Sequence, residues 1–298
     1  MTARRAERLG RLGVWTWLDG HTAAQAVEVA RRVEAWGYSA LWFPEAVGRD
    51  PFAIIAWLAA HTGRLVFATG IANIYARDAV AMRAAKETVG ELSGGRFVLG
   101  LGVSHAPLVA GLRGHVYGTP VATMHSYLEA IERATFVGPV PAEETPILLG
   151  ALRPRMLALA AECCAGVVPY NVTPEHTARA REILGREPTL APEQMVLRET
   201  DPVKARGIAR RHLAPYLELP NYCNCWKWLG FGDEDFANGG SDRLMDALVA
   251  WGNEAAIEAR IRAHFDAGAD HVGIQALRGD GDRGPDLRLL EALAPALQ

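Results

Sequence analysis

His105, Glu45 and Asn73 each stand just past a short apolar run: FVLGLG (97–102), ALWF (40–43) and LVFATGI (65–71). An imidazole there can give or take a proton near neutral pH, and a carboxylate can orient a reacting group. The same residues serve equally well as a surface loop histidine, a loop cap or a strand-end polar group. Trp15 and Trp17 alternate along the first apolar run and so share a face, either as core packing or as a wall for a flat ligand. Gly102-Val103-Ser104-His105-Ala106 approaches a nucleophile elbow, yet it lacks the final glycine and meets Pro107 where a helix should begin. A serine hydrolase is therefore the weaker alternative. Gly100 and Gly102 lack the third glycine of a dinucleotide fingerprint, because His105 occupies its place. Cys163 and Cys164 sit in an Ala-rich helical pattern, and Cys223-x-Cys225 has the wrong spacing for zinc, so all four cysteines read as structural and no metal is expected.

The chain that must position these groups has 298 residues, half of them hydrophobic and 22% charged, with a net charge of −3. That composition supports a large core and excludes both a disordered chain and a basic nucleic-acid footprint. No apolar stretch approaches the roughly 20 residues needed to span a bilayer. Arg4, Arg5, Arg8 and Arg11 precede the first apolar run without a signal-like apolar segment, so a cytoplasmic location is expected.

One pattern repeats along the sequence: amphipathic helix, glycine, polar residue, short buried strand. Thr22–Trp36 shows helical spacing of Ala23, Ala26, Val27, Ala30 and Val33, and Gly37 ends it before the strand Ala40–Phe43. Further strands are expected at Gly13–Trp17, Leu65–Ile71, Phe97–Gly102, Ile147–Gly150, Val167–Pro169, Gln194–Leu197 and His271–Ala276. Helices are expected at Pro51–His61, Asp78–Leu92 with Asp78 as N-cap, Pro120–Phe136, Leu157–Ala165, Thr173–Leu184, Pro202–Leu217 and Ala255–Ala267. Eight continuous apolar strands separated by helices imply a parallel sheet covered on its faces, and eight units close most naturally as a TIM (β/α)8 barrel. The whole chain, 1–298, reads as one such domain. Two segments fall outside the repeat, about 103–120 and 219–240, and both read as binding loops or lids.

The strand ends taken together resemble the luciferase-like monooxygenase superfamily, and within it the oxidoreductases that use the deazaflavin coenzyme F420. The resemblance is carried by LWFPE (41–45) with GRDPF (48–52), ATGIANI (68–74), SGGRFVLGLG (93–102), ILLGA (147–151) and GVVPY (166–170). It covers nearly the whole chain, and the SGGRFVLGLG run is its most specific part. It implies a flavin or deazaflavin ring over the barrel mouth, with its phosphate against the loops after the fifth and sixth strands. Glu45 then falls at the acidic position after the second strand. Gly70, Ile71 and Asn73 fall at the bulge that backs the ring, with a non-prolyl cis peptide implied at Gly70–Ile71. Trp17 and Gly102 stand at the same mouth, while Gly150, Ala151, Tyr170 and Asn171 fall at the phosphate loops.

Two departures accompany it. Ala46 stands where many members have a histidine, and His105 where several deazaflavin enzymes have a glutamate. The implied acid/base pair is thus rearranged to Glu45, as an orienting carboxylate, and His105, as proton donor or acceptor. The expected activity is hydride transfer between F420 and an organic substrate held under 219–240. An FMN-dependent monooxygenase is the alternative, and a non-catalytic flavin or deazaflavin carrier is a third reading, favoured by Ala46. The resemblance also implies a homodimer, for which the small residues Ala79, Ala81, Ala84 and Ala85 would permit close helix approach; packing of that helix on its own sheet explains them equally well.

Overall fold

The computed structural model describes residues 6–282 and 284–295; the arginines at 4 and 5 lie outside them. Among the described residues eleven parallel strands form the sheet: β1 (Leu12–Trp15), β2 (Ala40–Phe43), β3 (Val66–Thr69), β4 (Ala72–Asn73), β5 (Phe97–Gly102), β6 (Ile147–Leu149), β7 (Gly166–Val167), β8 (Thr189–Leu190), β9 (Glu193–Leu197), β10 (Val249–Trp251) and β11 (Val272–Ala276). The helices between them are α1 (Ala23–Ala35), α2 (Pro51–Ala59), α3 (Ala79–Leu92), α4 (Pro120–Arg133), α5 (Pro154–Cys163), α6 (Pro174–Leu184), α7 (Pro202–Leu217), α8 (Pro220–Trp228), α9 (Asp242–Leu248), α10 (Glu254–Asp266) and α11 (Leu287–Ala292).

Neighbour order runs β10-β9-β11-β1-β2-β3-β5-β6-β7-β8. Its two arms meet, because β8 and β9 are consecutive pieces of one segment broken only at Ala191–Pro192. Backbone bonds from Ala191 N to Val167 O (3.0 Å), Glu193 N to Pro169 O (2.9 Å) and Gly273 N to Pro192 O (3.0 Å) close the ring. Counting β8 and β9 together gives eight ring strands, matching the eight read from sequence; β4 is a short continuation beyond β3, and β10 lies off the ring against β9. This is the TIM-barrel architecture expected from the repeat.

Local signals account for the elements. Thr22 closes a capping box with Gln25, Asp50 and Asp78 cap α2 and α3 through Ala53 and Ala81, and five further helices start with proline in the first turn, where its missing N–H costs nothing. Gly37 adopts φ 85° beyond α1, a left-handed conformation that disfavours other residues. Strand alternation sorts the core. Leu41, Phe43, Phe67 and Leu99 face the helices, whereas Trp15, Trp42, Val66, Val98 and Leu148 fill the ring, with Ala40 and Ala68 making room for the indoles.

Two expectations need correction. Segment 219–240, read as an irregular lid, carries the helix α8; Tyr222 and Trp226 on it pack with Leu213, Leu244 and Leu248 into a separate apolar cluster. α9 and β10 follow at 242–251, where no element was expected. Segment 103–120 is largely irregular, as expected, with one π-helical turn at Pro107–Leu112. Among the described residues no helix is long and apolar enough to cross a membrane.

Candidate active site

The C-terminal ends of the ring strands open into a cavity of about 1250 Å³. Its walls come from the residues just past each strand: Trp17, Glu45, Ile71, His105, Gly150 and Tyr170 among them. α8 closes it from above with Asn221, Tyr222, Asn224, Lys227 and Trp228.

The floor is built around Ile71. The Gly70–Ile71 peptide is cis, the isomer the resemblance implies there. A Cβ on Gly102 would stand 2.5 Å from Ile71 Cδ1 and Cγ1, and one on Gly150 would stand 3.1 Å from its Cγ2. Both glycines therefore make room for the Ile71 side chain, which lies in the gap as an apolar platform. On the other side, a Cβ on Gly70 would meet Trp15 Nε1 at 2.6 Å. That indole N–H is buried without a partner among the described residues, while its ring packs on Tyr170 with centroids 4.8 Å apart. Tyr170 donates from its hydroxyl to Gln275 Oε1 at 3.0 Å, so the neighbouring Tyr216 hydroxyl donates to it, also at 3.0 Å. Burial raises the Tyr170 phenol well above its ordinary range, which keeps this donor chain neutral.

Glu45 lines the cavity, but both its carboxylate oxygens are engaged. Oε1 takes Arg77 Nη1 at 2.5 Å and Oε2 takes the Asn73 backbone N–H at 2.8 Å. Arg77 also pairs with Asp50 and lies 4.6 Å over the Phe52 ring. Glu45 N in turn donates to Ile71 O at 3.1 Å. The carboxylate thus ties the loop after β2 to the backbone on either side of the platform.

His105 sits opposite, on the segment that leaves β5. Its Nδ1 lies 3.1 Å from Asn221 Oδ1 and its ring 5.6 Å from that of Tyr222. Burial holds its pKa below the ordinary 6.5, against a smaller upward pull from Asn221. Ser104 beside it has φ 55° and lines the cavity, but no hydrogen bond joins its hydroxyl to a histidine among the described residues, and the chain enters a π-helical turn instead of the α-helix of an elbow. The hydrolase alternative loses its geometry.

Of the residues read from sequence, Glu45, His105, Trp17, Gly70, Ile71, Gly102, Gly150 and Tyr170 come together on the wall. Asn73, Ala151 and Asn171 do not. Asn73 is buried with its Oδ1 accepting Tyr75 N, Ala151 is buried beside Gly150, and Asn171 is buried with its backbone N–H donating to Glu193 Oε2 and its carbonyl accepting from Trp226 Nε1. Cys223 and Cys225 lie off the wall, donating to Leu217 O and Leu152 O, and the described residues hold no cluster fit for a metal.

Sequence reasoning missed the cations. Arg153 and Arg155, at the start of α5, and Lys227, on α8, line the cavity. Lys227 pairs with Asp233 at 2.5 Å; no ion pair joins Arg153 or Arg155 to an acid among the described residues. Arg211, on α7, adds a further charge to the wall. On the acidic side, Glu45 is neutralised by Arg77, leaving Asp282. A cavity with this bias inside a chain of net charge −3 suits an anionic ligand.

A family model for luciferase-like monooxygenases matches residues 2–271. The chain belongs to the luciferase-like monooxygenase family. A Mycobacterium tuberculosis protein assigned as a coenzyme F420-dependent oxidoreductase is 30% identical over 204 residues, which span 58% of each chain. Among solved structures, an F420-dependent secondary alcohol dehydrogenase in complex with an F420–acetone adduct superposes with a TM-score of 0.74 over 97% of this chain and 99% of its own, at 13% identity. The FMN-bound oxygenating constituent of 3,6-diketocamphane monooxygenase from Pseudomonas putida gives 0.71 over 96% and 97%, at 15% identity. At such identities these two show the luciferase-like fold alone.

Proposed function

We propose that this luciferase-like protein is a coenzyme F420-dependent oxidoreductase acting on a small organic substrate. The observation that carries the reading is the Ile71 platform, seated between Gly102 and Gly150, with Arg153 and Arg155 on the wall of the same cavity to meet an anion. A flat ring fits against the first and a phosphate against the second. The volume of about 1250 Å³ exceeds the usual range of about 300–1,000 Å³ for one ligand, which leaves space for a substrate beside the cofactor. The F420-dependent assignment of the mycobacterial relative supports the same choice of cofactor.

When bound, the deazaflavin would supply a ring carbon that accepts or gives hydride. The chain's own contributions are position, dryness and a proton. Ile71 and Trp15 would back the ring, Glu45 and Arg77 hold that backing in place, α8 shuts out water, and His105 exchanges a proton with the substrate. The resemblance carries a homodimer with it, and light scattering at micromolar concentration tests that directly.

FMN is the second reading, favoured by the FMN-bound structural neighbour. Fluorescence titration of the purified protein with F420 and with FMN separates the two. Saturable F420 binding at lower concentration than FMN supports the proposal; preference for FMN, with oxygen uptake once a reductase is added, overturns it.

A further inference from the structure

Asn221 reaches across from the second residue of α8 to a ring on the opposite wall. The reach is fixed from both sides. On α8, Tyr222 packs 5.1 Å from Tyr216 and 5.9 Å from Trp226, and Trp226 Nε1 donates to Asn171 O at 3.0 Å. On the other wall, the His105 carbonyl accepts the N–H groups of Leu108 and Val109, both at 3.0 Å. The contact between them is Asn221 Oδ1 to His105 Nδ1, 3.1 Å. An amide oxygen only accepts, so the ring nitrogen facing it carries the hydrogen, and in a neutral imidazole the other nitrogen is then a bare lone pair. His105 Nε2 has no partner among the described residues and is not sealed in the interior, while the ring lines the cavity.

We propose that Asn221 is a positioning residue that holds His105 as its Nδ1–H tautomer, leaving Nε2 as the proton acceptor for a substrate bearing a hydroxyl group on a carbon that carries hydrogen. This rests on the oxidoreductase reading above and names its substrate class, an alcohol. The O–H bond breaks and its proton passes to Nε2. The C–H bond breaks with both electrons leaving as hydride to the oxidised deazaflavin, and the carbon–oxygen bond becomes double. The alcohol is oxidised and the cofactor reduced. Burial, which keeps the ring neutral at neutral pH, supports the acceptor role.

The tautomer is read without cofactor or substrate, by long-range nitrogen–proton NMR of the full chain labelled with ¹⁵N-histidine, His105 being assigned by its loss in His105→Gln. The expected result is a single Nδ1–H tautomer at pH 7.5. Asn221→Asp places a carboxylate at the same nitrogen and should raise the His105 titration midpoint by about one to two pH units; Asn221→Ala should give a mixed tautomer. An Nε2–H ring in the unaltered protein overturns the proposal, as do variants that leave tautomer and midpoint unmoved. With F420 and a panel of secondary alcohols, the acid limb of kcat/KM should follow the NMR midpoint in Asn221→Asp; a limb that stays put overturns the acceptor role. Failure of F420 binding is a separate result and counts against the cofactor reading instead.

Discussion

Replacing Arg77 with methionine should separate the structural hold on the cavity floor from the floor itself. The Arg77 and Glu45 side chains are 17% and 8% exposed, so the substitution strands a mostly buried carboxylate. Removing one partner of a buried pair costs about 3–5 kcal/mol. Here Glu45 keeps the Asn73 N–H, and some solvent reaches the pair, which brings the loss to about 2–3 kcal/mol. The ion pair with half-exposed Asp50 adds about 0–1 kcal/mol. The guanidinium over Phe52 adds about 0.5–1 kcal/mol, part of it retained as methionine packing. About 3 kcal/mol in all is expected. Urea denaturation at pH 7 should show it as a lower midpoint with an unchanged slope. Glu45→Gln alone leaves Arg77 its Asp50 partner and should cost less. The double variant should fall short of the sum of the singles by at least about 1 kcal/mol. A loss under 1 kcal/mol in Arg77→Met, or singles that simply add, would refute the reasoning.

Gly102→Ala pushes a Cβ to 2.5 Å from Ile71, which has the cavity as its outlet, so ring binding should weaken at least tenfold for a stability loss of about 1–3 kcal/mol; isothermal titration beside urea melts reads both. His105→Gln should leave cofactor binding intact and lower turnover by about 10²–10⁴-fold in steady-state assays, whereas a carrier protein would show no turnover to lose. Stability should peak at about pH 7. Burial pushes the pKa values of His176, His264 and His271 down to about 4, 3 and 4, and that of Glu193 up to about 8. Between pH 6.5 and 4.5 the unfolded chain binds three protons that the folded one refuses, and releases one that the folded one keeps. These four groups therefore cost about 2.7 kcal/mol per pH unit on acidification. From about pH 7 to 8, where the unfolded histidines have shed most of their protons, Glu193 dominates and stability falls by less than about 1 kcal/mol per unit as pH rises. Urea midpoints across pH 5–8 test this, with Glu193→Gln expected to flatten the alkaline side; a profile still climbing at pH 8 contradicts it.

The barrel was legible because each ring strand is a run of apolar residues set off by a helix with readable ends. Phe97–Gly102 is buried at all six positions, and α7 begins and ends where its pattern does. α8 was hidden by its composition. Tyr222, Cys225 and Trp226 form a helical face, but the tyrosines, tryptophans, cysteines and nearby glycines read as a loop. β10 is three residues long and pairs off the ring, so the eightfold repeat gave no place for it. At the site, strand ends told which loops gather there but not which side chain turns inward. Gly150 and Tyr170 line the cavity while the next residues, Ala151 and Asn171, are buried off it; Asn171 follows Tyr170 in a left-handed turn at φ 57° that no sequence pattern announces. Arg153 and Arg155 carried no signal, since exposed arginines at a helix start break no pattern; only the surrounding walls reveal the charge they bring.

The most direct test is a crystal structure of the protein with F420. The account predicts the deazaflavin ring against Ile71 and Trp15, its phosphate directed toward Arg153 and Arg155, and space left between the ring and His105. A ring found outside this cavity, or a cavity that refuses F420 while taking FMN in its place, would contradict it.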